Sequence, residues 1–282
     1  MNFKLLILIC LTLFFFSTSS VLARAALVNN SIDPYSFTFF RLFFGALTLL
    51  IILYFKEKRL NLSLTKNWDT SFMLFMYAIC FSYAYINLDA GLGALILFAI
   101  VQLTIIIAAL IKKEHIDLKK ALGITLAFAG LVYLLYPSEG FEISIYHSFL
   151  MMISGVAWGL YTLYGKKSAN ATLNTTDNFT KSLLFLLIFF TFFVDNINIS
   201  SYGVFLAFIS GGITSAIGYL LWYYLLPNIK IVTSGILQLL IPPLAIFLGV
   251  IFLNEKLTST LVISTILILL GIYISIYKKS SN

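Results

Sequence analysis

Ten runs of apolar residues follow one another along the chain, separated by short polar connections. They fall at Leu5–Val28, Pro34–Phe55, Trp68–Leu88, Gly91–Ile111, Leu118–Tyr136, His147–Gly165, Phe179–Val194, Tyr202–Leu226, Ile231–Leu253 and Thr258–Tyr277. A helix needs about 20 mainly apolar residues to cross the hydrocarbon of a bilayer. The runs are apolar on every side, whereas barrel strands alternate with a period of two. Lipid also offers no partner to backbone groups left open outside a helix. The pattern predicts an all-α integral membrane fold of ten transmembrane helices, of which the seventh is the shortest.

Sliding the sequence onto itself by 141 residues places Asn87 on Asn228, Glu114 on Glu255, Gly130 on Gly271 and Tyr136 on Tyr277. Polar and glycine matches are hard to obtain by chance in so apolar a chain. The lysines do not repeat: Lys112, Lys113, Lys119 and Lys120 fall on Leu253, Asn254, Thr260 and Leu261. That is expected when a segment ends in the cytoplasm and its copy ends outside. The chain therefore reads as two inverted five-helix repeats, residues 1–137 and 147–279. Repeats of this kind build secondary transporters, with the substrate site between the halves.

Composition agrees. The chain is 61% hydrophobic and 10% charged, with a mean hydropathy of +1.01. A soluble domain could not cover that much apolar surface. Of the 18 Lys and Arg residues, 15 fall in connections on one side when the N-terminus is placed in the cytoplasm. Lys166, Lys167 and Lys181 form one such group, before and at the start of the seventh run. Only Lys256 falls outside, and Arg24 and Arg41 lie within spans. This bias sets orientation and puts both termini in the cytoplasm, in a bacterial plasma membrane. The pI of 9.3 then reflects topology, and the scattered basic residues point away from a nucleic-acid partner. Ala23-Arg24-Ala25 after the first apolar run resembles a cleavage site. Cleavage would leave nine spans and an unmatched repeat, so the first helix is expected to remain.

Arg41 is the first candidate for chemistry. It lies seven residues into the second run, roughly 10 Å deep at ~1.5 Å per residue. An ionisable group at that depth is costly and marks a functional site by default. It either holds an anionic group of a substrate, forms a packing ion pair with Asp33 or Asp89, or snorkels to the external surface. Gln102 and Gln238 lie inside the fourth and ninth runs and need partners there, from substrate or from neighbouring helices. Trp158 and Tyr161 share a helical face. With Tyr219 and Trp222 they form a possible aromatic wall for an aromatic or cationic group. Pro242 and Pro243 break the backbone ladder of the ninth helix, as a fixed kink or as a pivot for gating. Arg24 is expected to snorkel to the external surface. Glu114 and Glu255 are expected to close helix ends or pair with a neighbouring Lys, and Ser17 to Ser20 to pack against other helices.

No Asp or Glu lies deep inside any of the ten runs, which argues against a buried-carboxylate proton relay. Cys10 and Cys80 sit inside runs, where a disulfide is implausible. His115 and His147 lack partners at metal spacing, and no nucleophile–base set or phosphate loop appears. No metal, cofactor or enzymatic activity is expected.

Several local motifs together resemble the drug/metabolite transporter superfamily, EamA type. Asp33-Pro34 followed by Arg41 is similar to the start of that family's second helix. Glu114-His115-Ile116-Asp117-Leu118, then Gly123 and Gly130, resembles its fourth-helix exit and fifth helix. Ala157-Trp158-Gly159-Leu160-Tyr161 resembles its sixth helix, and Gly218-Tyr219-Leu220-Leu221-Trp222 its eighth. Pro242-Pro243 with Asn254-Glu255-Lys256 resembles its ninth. The first half departs in carrying Gln102 where the second has Pro243. The resemblance implies a ten-helix carrier of small metabolites without naming one. The expected function is secondary transport of small polar or amphipathic metabolites, amino acids first, by alternating access. A flippase for a lipid-linked head group is the alternative. A monomer or homodimer fits either.

Overall fold

The computed structural model describes residues 3–58, 62–111, 118–136, 143–193, 196–229 and 231–276. These residues form helices α1 (Phe3–Val28), α2 (Pro34–Glu57), α3 (Trp68–Ala84), α4 (Ala90–Ile111), α5 (Leu118–Leu135), α6 (Ile145–Gly165) and α7 (Ala171–Phe193). They are followed by α8 (Ser201–Phe208), α9 (Ala216–Leu225), α10 (Ile231–Gln238), α11 (Ile241–Leu253) and α12 (Ser259–Ile276). A π-helical segment, Ile209–Ser215, joins α8 to α9. Each of the ten apolar runs falls on helix. Four helical stretches are long and apolar enough to cross a membrane by length and composition: Leu5–Val28, Pro34–Glu57, Ala90–Ala108 and Ser201–Asn228. Large apolar side chains such as Phe14, Phe43, Leu47, Ile51 and Leu187 face outward. That is the surface expected of a protein whose solvent is lipid.

Helix ends are set locally. Asp33 Oδ1 accepts the Ser36 amide at 2.9 Å, with Pro34 in the first turn of α2, where a missing N–H costs nothing. Asn254 ends α11 in the left-handed conformation, at φ 54°. Small residues set the close crossings. α5 runs along α12, and a Cβ at Gly271 would meet the backbone of Ala127 and Gly123.

Five expectations change. α7 begins at Ala171, eight residues before Phe179, with the Asn170 side chain accepting the Leu173 amide at 3.0 Å. In the helical polar stretch before Phe179, Thr172, Asn174, Thr176 and Asn178 find hydrogen-bond partners. Lys181, assigned to a cytoplasmic connection, therefore lies buried in α7. Asp177, 1% exposed in the same helix, is a buried carboxylate where none was expected. The eighth run is interrupted by the π segment. The ninth divides between Gln238 and Ile241, one turn before Pro242 and Pro243. Proline clashes with the carbonyl four residues back, so the break precedes the prolines and leaves them in the first turn of α11. Glu114, His115 and the boundary at residues 137–142 lie outside the described residues.

Candidate functional site

Arg41 is drawn into the middle of the bundle by α2 and is 1% exposed. Its Nε donates to Ser215 Oγ at 2.9 Å, and its Nη2 to the hydroxyls of Tyr219 at 3.0 Å and Tyr77 at 3.3 Å. The guanidinium carbon lies 4.7 Å from the ring centre of Phe81 and 5.6 Å from that of Tyr77. Its Nη1 has no hydrogen-bond partner among the described residues. Neither expected counter-charge is near. Asp33 caps α2 and also accepts the Asn198 amide at 3.0 Å, while Asp89 pairs with Arg24 at 3.2 Å. The ion-pair reading of Arg41 is therefore set aside. Its partners are neutral hydroxyls, which leave a full positive charge in a low-dielectric site.

The π segment makes this geometry possible. Its wider turn places Ser215 toward Arg41, and π-helical insertions of this kind recur at functional sites. Gly211 lies directly against α2, where a Cβ would overlap the carbonyl of Arg41.

Aromatic rings enclose the guanidinium. Trp158 lies 4.8 Å from Tyr219, 4.9 Å from Tyr77 and 5.4 Å from Tyr161, centre to centre. Phe16 from α1 packs edge-on to Trp158 at 5.3 Å, Tyr219 at 5.5 Å and Trp222 at 5.9 Å. Gln238 Oε1 accepts the Trp158 indole N–H at 2.8 Å, so this amide positions a ring of the site. Trp222 is turned toward Thr162, at 3.4 Å. Gln102 stands apart, against Gly235 of α10, with its Nε2 unpartnered among the described residues. The structure thus brings Arg41, Trp158, Tyr161 and Tyr219 together and holds Gln238 and Trp222 at their back. Gln102, Pro242 and Pro243 lie at the joint of α4, α10 and α11.

Sequence reasoning missed Tyr77, Phe81 and Ser215. Nothing in the third apolar run marks Tyr77 among its aromatic neighbours. Ser215 lies in an Ile-Ser-Gly-Gly-Ile-Thr-Ser stretch that is small and polar inside an apolar run, a signal of close packing that was available.

A second polar group lies where α3 ends and α4 begins. Arg24 does not snorkel. Its Nη1 donates to the carbonyls of Tyr85 and Ile86 at 3.1 and 2.7 Å, closing the last turn of α3. Glu255 accepts the Ala90 amide at 2.6 Å and the Gly91 amide at 3.4 Å, so it closes the start of α4 as its position suggested. A cavity of about 680 Å³ opens here, lined by Arg24, Asn87, Asp89, Tyr202, Glu255 and Lys256 among others. Burial holds the Glu255 carboxyl above its ordinary value of 4.5, assisted by Asp89 and opposed by the Ala90 amide. A carboxyl raised in this way contributes stability that is complete below its unfolded value and is lost as pH rises through its folded value. The thermal midpoint should fall as pH rises from about 4.5 through that range. Glu255→Gln, which keeps an acceptor for Ala90, should flatten that fall, as a melting series across acid pH will show.

Among the described residues no group of three or more His, Cys, Asp or Glu side chains is placed to hold a metal ion.

A family model described as the EamA-like transporter family matches residues 3–136 and 146–277. An uncharacterized protein of Pseudomonas aeruginosa is 37% identical over 269 residues, covering 95% of this chain and 93% of its own. An uncharacterized transporter of Archaeoglobus fulgidus is 28% identical over 244 residues, 82% of this chain and 85% of its own. A probable amino-acid metabolite efflux pump of Escherichia coli K12 is 25% identical over 237 residues, 77% of each. One solved crystal structure superposes with a TM-score of 0.69 at 15% identity, over 97% of this chain and 96% of that one, a likeness of fold.

Proposed function

Since this chain belongs to the EamA-like transporter family of multi-pass membrane proteins, we propose that it is a secondary transporter whose substrate carries a carboxylate held by Arg41. The observation that carries this reading is the buried guanidinium, whose partners among the described residues are hydroxyls and whose Nη1 has none there. An anion supplies what the hydroxyls do not: a counter-charge, and an acceptor for the remaining donors in the planar fork that arginine presents. The surrounding rings of Trp158, Tyr161 and Tyr219 suit an apolar or ammonium-bearing remainder through stacking or cation–π contact. Amino acids and related metabolites combine these features. That agrees with the amino-acid metabolite efflux pump among the relatives.

Two inverted repeats moving against each other form the mechanism in this reading. The packing supports the duplication. Exchanging each helical span with the span five positions later carries the helix neighbours onto one another: α3 against α6 corresponds to α1 against α8 and α9, and α4 against α6 to α1 against α11. The spans meeting their own copies are α5 with α12, α2 with α7, and α4 with α11. The helix break before Pro242 and Pro243 gives the ninth span two rigid parts, and with α4 it forms the gate beside Gln102. The lysine distribution supports an orientation with both termini in the cytoplasm.

Purified protein in liposomes, loaded with a mixture of unlabelled amino acids, should exchange them for labelled ones added outside. Arg41 predicts competition by free carboxylates and none by amino-acid amides. Exchange that amides inhibit as well as acids do would remove Arg41 from substrate binding. A broad panel in which nothing moves would remove the carrier reading.

A further inference from the structure

The polar cluster at the end of the molecule where α3 begins takes no part in the Arg41 site. Asp177 of α7 is its centre. Its Oδ2 accepts from Lys181 Nζ at 2.8 Å and from Asn67 Nδ2 at 2.8 Å. Its Oδ1 is buried without a hydrogen-bond partner among the described residues. Lys181 is 6% exposed; it also donates to the Lys66 carbonyl and lies 5.2 Å from the centre of the Trp68 ring. A buried ion pair is expensive to desolvate and weak evidence for stability. Inside a membrane protein such groups mark ion and proton paths.

The cluster is connected to the site. The Asn67 carbonyl accepts from Thr70 at 3.1 Å and from Ser71 at 2.5 Å. The Thr70 hydroxyl lies 2.7 Å from Asn178 Oδ1, and Asn178 Nδ2 donates to the Tyr161 hydroxyl at 3.2 Å. The Tyr161 ring lies 6.3 Å from that of Tyr219, which accepts from Arg41. A half-satisfied carboxylate at one end of this polar run and a half-satisfied guanidinium at the other are, among the described residues, the two buried charges whose bonding is incomplete.

We propose that Asp177 is the proton-binding site of this carrier, held by Lys181, and that its proton is coupled to the anion at Arg41; this rests on the carrier reading above. A proton from water adds to Asp177 Oδ1. No other covalent bond forms or breaks, and Lys181 keeps its own protons with the Lys66 carbonyl and the Trp68 ring as partners. Before the step the ionised carboxylate offsets one of two buried cations. After it Arg41 and Lys181 are both uncompensated, and an anion is bound more tightly. The coupling is reciprocal, so the anion raises the proton affinity of Asp177, and proton and anion move together. The other charged or titratable groups facing α7 lie toward its ends or carry phenols. Lys56 and Glu57 of α2 bond Thr172 and Asn170. Lys66 and Asp69 are exposed at the start of α3. Tyr161 and Tyr223 bond Asn178.

Infrared difference spectra of the purified protein across pH test the site without any substrate. The carbonyl stretch of a protonated buried carboxyl should appear as pH falls and be absent from Asp177→Asn. Lys181→Gln, which removes the offsetting cation, should displace the pH at which it appears. A band unchanged in Asp177→Asn, or one that Lys181→Gln leaves at the same pH, overturns the proposal. In liposomes, an inward proton gradient should increase uptake of a mixture of labelled amino acids by the wild type and have no effect on Asp177→Asn. A gradient response that survives in Asp177→Asn overturns the coupling. Wild-type liposomes that exchange no amino acid defeat the carrier reading instead, and the infrared titration still decides whether Asp177 binds a proton.

Discussion

Replacing Arg41 with methionine should abolish transport and leave the protein folded. The side chain makes three hydrogen bonds, to Ser215, Tyr219 and Tyr77, all to hydroxyls that can rotate toward other partners. Removing an uncompensated buried cation lifts a desolvation penalty, so detergent melting should place Arg41→Met at or above the wild-type midpoint. Transport should fall roughly 30-fold or more, corresponding to the ~2 kcal/mol or greater loss on truncating one side of a desolvated charge pair. Arg41→Lys separates charge from geometry. A lysine keeps the charge and loses the planar fork, so its uptake should lie between the two. A lysine variant that transports at the wild-type rate would show that the anion needs no bidentate partner. A methionine variant that does so would end the anion role of this residue. A folded but inactive methionine variant is the outcome that a purely structural arginine does not produce.

Gly211→Val should fail to give a stable protein, and Gly211→Ala should lose about 3 kcal/mol or more. Overpacking of a core costs about 1–3 kcal/mol when side chains can yield. Here the added carbon would overlap the carbonyl, carbonyl carbon and Cα of Arg41, and backbone held in a helix cannot rotate away. Gly212 is the control. A Cβ there would have Thr48 Oγ1 as its nearest neighbour, at 3.2 Å, and a phenylalanine ring at 3.6 Å. Gly212→Ala should therefore stay near wild type. Thermal melting of the three variants decides this. Equal loss at both positions would mean that the π segment tolerates no side chain at all, and that the contact with α2 is not the cause.

Much of this was legible in the sequence. The apolar runs gave ten helical stretches, because in lipid a backbone must satisfy itself and only a helix does so within one segment. Arg41 stood out from its cost at depth, and Trp158 and Tyr161 from their shared helical face. Glu255 was placed at a helix end by its position just past the ninth run. Hydropathy failed where polar residues face inward. Asp177, Asn178, Lys181 and Ser182 lie within two turns of α7, so their partners in α3 and its approach lower a cost that a window average reads as exposure to water. Asn174, Asp177, Asn178 and Lys181 recur at three- and four-residue spacing, which would have revealed one polar face.

The sequence by itself determined the class of fold and the solvent of the protein, because the number and length of its apolar runs admit no other answer. It determined which residues are too costly to be idle. Tertiary structure alone decided their partners. Arg41 meets Tyr77, Tyr219 and Ser215 across helices up to 178 positions away in the chain. Within the π segment that sets their register, Gly211 packs directly on α2. Asp177 and Lys181 became a buried pair only when α3 and α7 came together. Burial and pairing are properties of the assembled bundle, and one-dimensional hydropathy carries the cost of a charge without the identity of the group that offsets it.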